Sequence, residues 1–155
     1  MKEADSHRVN RAGRSFSVLE DTFAICRLPA NTPLPEWCVG DGFFSITHTP
    51  DELSIVCPQD RVPLDVPAER GWKCFRLQGP IPFSETGVLA SFVQPLSDRA
   101  IPVFAISTYD TDYVLIKNGW DKMALDALLK AGYKLTAHGA SSDVSKLASG
   151  SSNSG

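Results

Sequence analysis

Two short stretches carry side chains able to hold a small charged molecule. The first is the start of a helix around Glu85 and Gly87. A helix N-terminus offers backbone N–H groups without intrahelical partners and the positive end of the dipole, so it suits a carboxylate. Gly87 removes a side chain that would block close approach. The second stretch is the segment carrying Thr108, Tyr109 and Asp112, between two strand-like runs. Glu85 and Asp112 are acceptors for an α-ammonium or a cationic side chain. Thr108 and the main chain around Tyr109 can fix orientation. One end of such a site suits an anion and the other a cation, which is what a zwitterion requires.

The same residues have plainer roles. Glu85 in a first helical turn is favourable through the dipole alone. Thr86-Gly87 can be a tight helix entry, and Asp110 and Asp112 are common turn formers. Tyr109 and Tyr113 can be half-buried strand aromatics.

Other chemistry finds little support. Cys26, Cys38, Cys57 and Cys74 form no short-spaced pair, and three of them sit in apolar strand-like runs, so buried free thiols are expected. His7, His48 and His138 lie far apart, and neither C-x-x-C nor H-x-x-x-H occurs, so no metal site is expected. His48 reads as a structural histidine on an apolar strand face. No nucleophile has a motif-placed base, no glycine-rich phosphate loop is present, and no cofactor is expected. The 155 residues carry a net charge of -3, which opposes nucleic acid and anionic membrane surfaces as partners. No apolar run approaches the roughly 18–20 residues of a membrane span. Met1 to Arg14 has no apolar h-region, so a secretory signal is not expected, and the free cysteines suit a reducing, cytoplasmic compartment.

The elements that must position these residues follow from pattern. Thr22 to Leu28 is a β-rich run stopped by Pro29. Glu36-Trp37-Cys38 suffices for one helical turn. Phe43 to Thr49 alternates as a strand, Thr49-Pro50-Asp51-Glu52 makes a turn, and Leu53 to Cys57 runs back, with Phe44 and Ile46 facing Leu53 and Ile55. After a Pro-rich connection, Trp72 to Gln78 is a strand. Ser84 is a candidate cap for a helix striped with Val88, Leu89, Phe92, Val93 and Leu96, and Pro95 predicts a kink or an early end. Ile101 to Ser107 reads as an edge strand because of Pro102, and Asp112 to Lys117 returns. Asn118 is a candidate cap for a last helix lined by Trp120, Ala124, Leu125, Leu128 and Leu129, with Gly132 at its end and a short strand from Tyr133 to Thr136.

The second part is thus β-α-β-β-α-β, a ferredoxin-like plan with an antiparallel sheet and both helices on one face, within an α+β class. The first is a truncated β-α-β-β version. The expected organisation is a disordered segment over 1–15, the truncated unit over 16–66, the full unit over 67–137 and a disordered Ser/Gly-rich tail over 138–155.

Two runs go beyond fold: Gly79-Pro-Ile-Pro-Phe-Ser-Glu-Thr-Gly-Val-Leu-Ala90 and Ile106-Ser-Thr-Tyr-Asp-Thr-Asp-Tyr-Val-Leu-Ile116. With Leu53-Ser-Ile-Val-Cys-Pro58 and Gly71-Trp72, they resemble a family of small standalone ACT-domain proteins related to the arginine-sensing CASTOR proteins. The resemblance spans roughly Phe16 to Thr136. It implies a regulatory or sensory module that binds an amino acid at the junction of two ACT units. The ligand-holding positions it implies are Glu85, Thr86, Gly87 and Val88 at the helix start, and Thr108, Tyr109 and Asp112 at the hairpin. With about one and a half units in the chain, a complete inter-unit pocket needs the truncated unit or a second copy, so a homodimer is expected. The alternative is an ACT-type assembly domain without a ligand.

Overall fold

The computed structural model describes residues 13–136; the expectations for 1–12 and for 138–155 lie outside the described residues. Among the described residues seven strands and two helices follow in order: β1 (Ser15–Leu28), a 3-10 turn (Glu36–Cys38), β2 (Ser45–His48), β3 (Leu53–Pro58), a second 3-10 turn (Gln59–Arg61), β4 (Ala68–Leu77), α1 (Val88–Ser97), β5 (Phe104–Ser107), β6 (Asp112–Lys117), α2 (Asp121–Lys130) and β7 (Lys134–Leu135). All seven strands form one sheet in the order β2-β3-β1-β4-β6-β5, with β7 alongside β1.

The class is the α+β arrangement read from the sequence, a ferredoxin-like plan with both helices on one face of the sheet. Alternation explains which residues those helices cover. Phe16 of β1, Phe75 and Leu77 of β4, and Val114 and Ile116 of β6 share that face and pack against Val88, Phe92 and Leu96 of α1 and Ala124, Ala127 and Leu128 of α2. Phe16 is the hinge of this core. It stacks on Phe75 at 5.9 Å between ring centroids and meets Phe92 edge-on at 5.7 Å.

β1 is twice the length of the run read from the sequence, beginning at Ser15 rather than Thr22. Its first half pairs with β4 on one side, Phe16 opposite Leu77, and with β7 in parallel on the other, Phe16 opposite Leu135. Its second half keeps β4 and exchanges β7 for β3, Phe23 opposite Pro58. The closing strand of the second unit therefore pairs with β1, which lies between it and β4.

On the same face, the first unit buries Cys26, Cys38, Ile55 and Cys57 beneath the first 3-10 turn. The opposite face carries Phe23, Val56, Cys74 and Leu115, all nearly inaccessible although neither helix covers them. The sheet covers this face by curling. Phe43, just before β2, reaches over to stack on Tyr113 of β6 at 4.3 Å, and residues of β2, β3 and β5 line a common crevice of about 240 Å³. The two sheet edges thus face each other. All four cysteines are free and buried, as expected of small hydrophobes, and burial pushes the Cys74 thiol up to about 12. His48 is exposed rather than set on an apolar face, and its Nε2 lies 3.1 Å from the Ala30 carbonyl.

Candidate functional site

The end of β4, the start of α1 and the β5–β6 hairpin converge. Gly79 follows β4 and shares a cis peptide bond with Pro80. A Cβ on Gly79 would lie 2.9 Å from the Asp110 carbonyl oxygen, so only glycine lets the β4 exit press this close to the hairpin. Two hydrogen bonds fasten the approach: Ile81 N–H donates to the Asp110 carbonyl at 2.7 Å, and the buried Thr111 hydroxyl donates to the Leu77 carbonyl at 2.8 Å.

The hairpin is closed within itself. Thr108 N–H donates to the Thr111 carbonyl at 2.9 Å, and the Ser107 hydroxyl donates to Asp112 Oδ1 at 2.6 Å. Tyr109 at its tip is 80% exposed and meets Phe83 edge-on at 4.9 Å. The helix entry uses a different device from the predicted Ser84 cap. Glu85 N–H closes a turn onto the Pro82 carbonyl at 3.0 Å, and Gly87 at φ 73° is the residue that caps α1. No side-chain cap bond forms there, which leaves the first N–H groups of α1 to solvent or a ligand. Pro95 lies inside α1, which continues to Ser97. At α2 the cap position falls on Trp120, with the Gly119 N–H on Asp121 Oδ1, so Asn118 is not the cap.

Six of the seven sequence-derived positions, Glu85, Gly87, Val88, Thr108, Tyr109 and Asp112, line one cleft of about 270 Å³ between α1 and the hairpin. Thr86 is exposed and does not line it. Phe83 and Asp110 line it as well. Arg14 forms an ion pair with Glu85. Its Nε is buried without a hydrogen-bond partner, and its carbonyl accepts the Lys134 N–H at 2.9 Å. Arg14 was missed because it sits in a charged segment with no apolar period. Phe83 was within reach, inside the Gly79–Ala90 run that singled out the helix start. The cleft thus combines the α1 N-terminus with three carboxylates, one of them neutralised by Arg14. Among the described residues no cluster of His, Cys, Asp or Glu can hold a metal ion.

An antiparallel sheet backed by two helices, with a cleft where a helix start meets a hairpin, is the frame of a regulatory, ligand-binding class of module. An ACT-domain profile matches residues 68–130, and a profile described as an N-terminal domain matches residues 21–65. The chain belongs to the ACT-domain family. It is similar to protein Atu0741 from Agobacterium tumefaciens, whose crystal structure is 41% identical, covers 83% of this chain and 98% of that one, and superposes with a TM-score of 0.76. It is also similar to the human protein CASTOR3P, 27% identical in an alignment 119 residues long that covers 59% of this chain and 72% of that protein. The regulatory subunit of aspartate kinase from Thermus flavus shares the fold at 14% identity, with 77% of this chain and 98% of that chain covered and a TM-score of 0.55.

Proposed function

We propose that this chain is a cytoplasmic regulatory module without catalysis of its own, which binds an amino acid in the cleft between α1 and the β5–β6 hairpin and works as a homodimer. The observation that carries the reading is the convergence of the α1 N-terminus and the hairpin carboxylates on one cleft. The uncapped N–H groups suit the ligand carboxylate, and Asp112 suits its ammonium. Glu85 joins them when the ligand competes with Arg14. Among the described residues no helix is long and apolar enough to cross a membrane.

Thermal melting of the full chain against the twenty amino acids tests this. A ligand at a hundredfold excess over its dissociation constant adds about 2.7 kcal/mol, roughly 5–10 °C for a domain of this size. Asp112→Ala and Gly87→Val abolish the shift if the cleft is the site. An unchanged melting point across the panel favours the assembly reading, in which ACT-type units only dimerise. Light scattering on the liganded chain checks the second half of the proposal, because a strict monomer with ligand bound removes the homodimer.

A further inference from the structure

A larger cavity, of about 410 Å³, lies away from this cleft, between α2 and the sheet. Two features of the chain create it. From Val18 to Thr22, β1 advances four residues while its partners on β4, Phe75 to Lys73, advance two, so β1 bulges away there. β7 is only two residues long and pairs at Ser15 and Phe16, short of that bulge. The space left is walled by Val18, Leu19, Phe75, Leu125 and Leu135.

Four charged groups also face it: Glu20, Lys73, Asp121 and Lys122. Their surroundings differ. Glu20 is exposed at the bulge, where water solvates it. Asp121 already accepts the Gly119 N–H at 3.1 Å. Lys73 is half-buried on the helix-facing side of β4, next in that row to Phe75. Its ammonium donates to the Thr22 hydroxyl at 3.0 Å, and among the described residues it forms no ion pair. An ammonium has three donors and no acceptor, so one neutral hydroxyl leaves its charge and most of its donors unmatched. The first turn of α2 adds the positive end of a helix to the same rim.

We propose that this cavity is a second ligand site, for a small amphipathic anion whose apolar body lies on Leu125 and Leu135 and whose carboxylate pairs with Lys73. Its size is that of a small-molecule site, mostly apolar with few polar groups. It does not depend on the cleft at Glu85, and the probes are chosen so that the two readings fail separately.

The test is titration of the full chain with octanoate, followed by methyl NMR, with octylamine as the probe of opposite charge. Octanoate gives saturable shifts at Val18, Leu125 and Leu135, and octylamine does not. Lys73→Gln weakens octanoate by about tenfold or more, the weight of one charge-assisted hydrogen bond. Leu125→Trp fills the cavity and abolishes the shifts, which covers the case in which Lys73→Gln fails to fold. Equal shifts with octylamine, full affinity in Lys73→Gln, or contacts from residues 137–155 that exclude octanoate from the cavity overturn the proposal.

Discussion

Gly87 holds a conformation that most residues resist. At φ 73° it turns the chain from the Pro82–Glu85 turn into α1, and a side chain there pays roughly 1–2 kcal/mol for the left-handed backbone. Gly87→Ala is therefore expected to cost about 1–2 kcal/mol in urea denaturation with an unchanged slope. A cost near zero would mean the turn relaxes freely, and the cleft wall with it. Most of the candidate site could be read from single residues, because Glu85, Gly87, Thr108 and Asp112 combine recognisable chemistry with local spacing. Arg14 could not, since it meets Glu85 across 71 residues of chain, next to the long-range pairing of Ser15 with Gln78 at the exit of β4, a contact with no local signal.

The helices show where local reading stops. Their apolar stripes were legible, and Phe92 and Leu128 are completely buried where the 3.6-residue period places them. Their starts were not, because a left-handed glycine replaces the side-chain cap at α1 and Trp120 occupies the cap position at α2. What joins α1 to α2 outside the core is an ion pair. Arg99, just past α1, donates to Asp126 of α2 at 2.8 Å, and Lys130 pairs with the same carboxylate from the next turn. The hydrogen bond from Arg99, reinforced by that from Lys130, holds the Asp126 carboxyl below its ordinary 3.8. A depressed folded value means that the pair contributes stability above the ordinary carboxylate range and loses it as pH falls through the folded value. Carbon-detected NMR titration should place Asp126 below 3.8 in the native chain, and Arg99→Ala should move it upward. An unmoved value would show that Arg99 does not hold the carboxylate in solution. Asp126 is exposed, so the effect belongs to titration rather than to a large change in melting.

For the molecule as a whole, β1 decides what counts as a unit. The sequence divides naturally near Pro67, since a Pro-rich connection separates two strand-and-turn patterns. The sheet does not divide there. The first half of β1 lies between β4 and β7, and its Phe16 is buried against Phe75 and Phe92 at the centre of the second unit's core. That half was invisible to pattern reading because Glu20 and Asp21 interrupt the alternation at the bulge, and the strand partner lies far along the chain. Without β1, β7 has lost the strand it pairs with, and the helix core has lost Phe16, the ring that joins Phe75 of the sheet to Phe92 of α1. A fragment of residues 67–136 is therefore expected to remain unfolded by circular dichroism and NMR dispersion, although it contains a complete β-α-β-β-α-β pattern. Adding a peptide of residues 13–29 should restore native dispersion, and the intact chain should unfold in one transition by every probe. A fragment that folds cooperatively alone would return the boundary near Pro67 and make β1 an accessory strand. If the expected result holds, the two units share one folding equilibrium. A ligand that stabilises the cleft at α1 is then felt in β2 and β3 as well, since whatever binds the native state alone protects every element that unfolds with it.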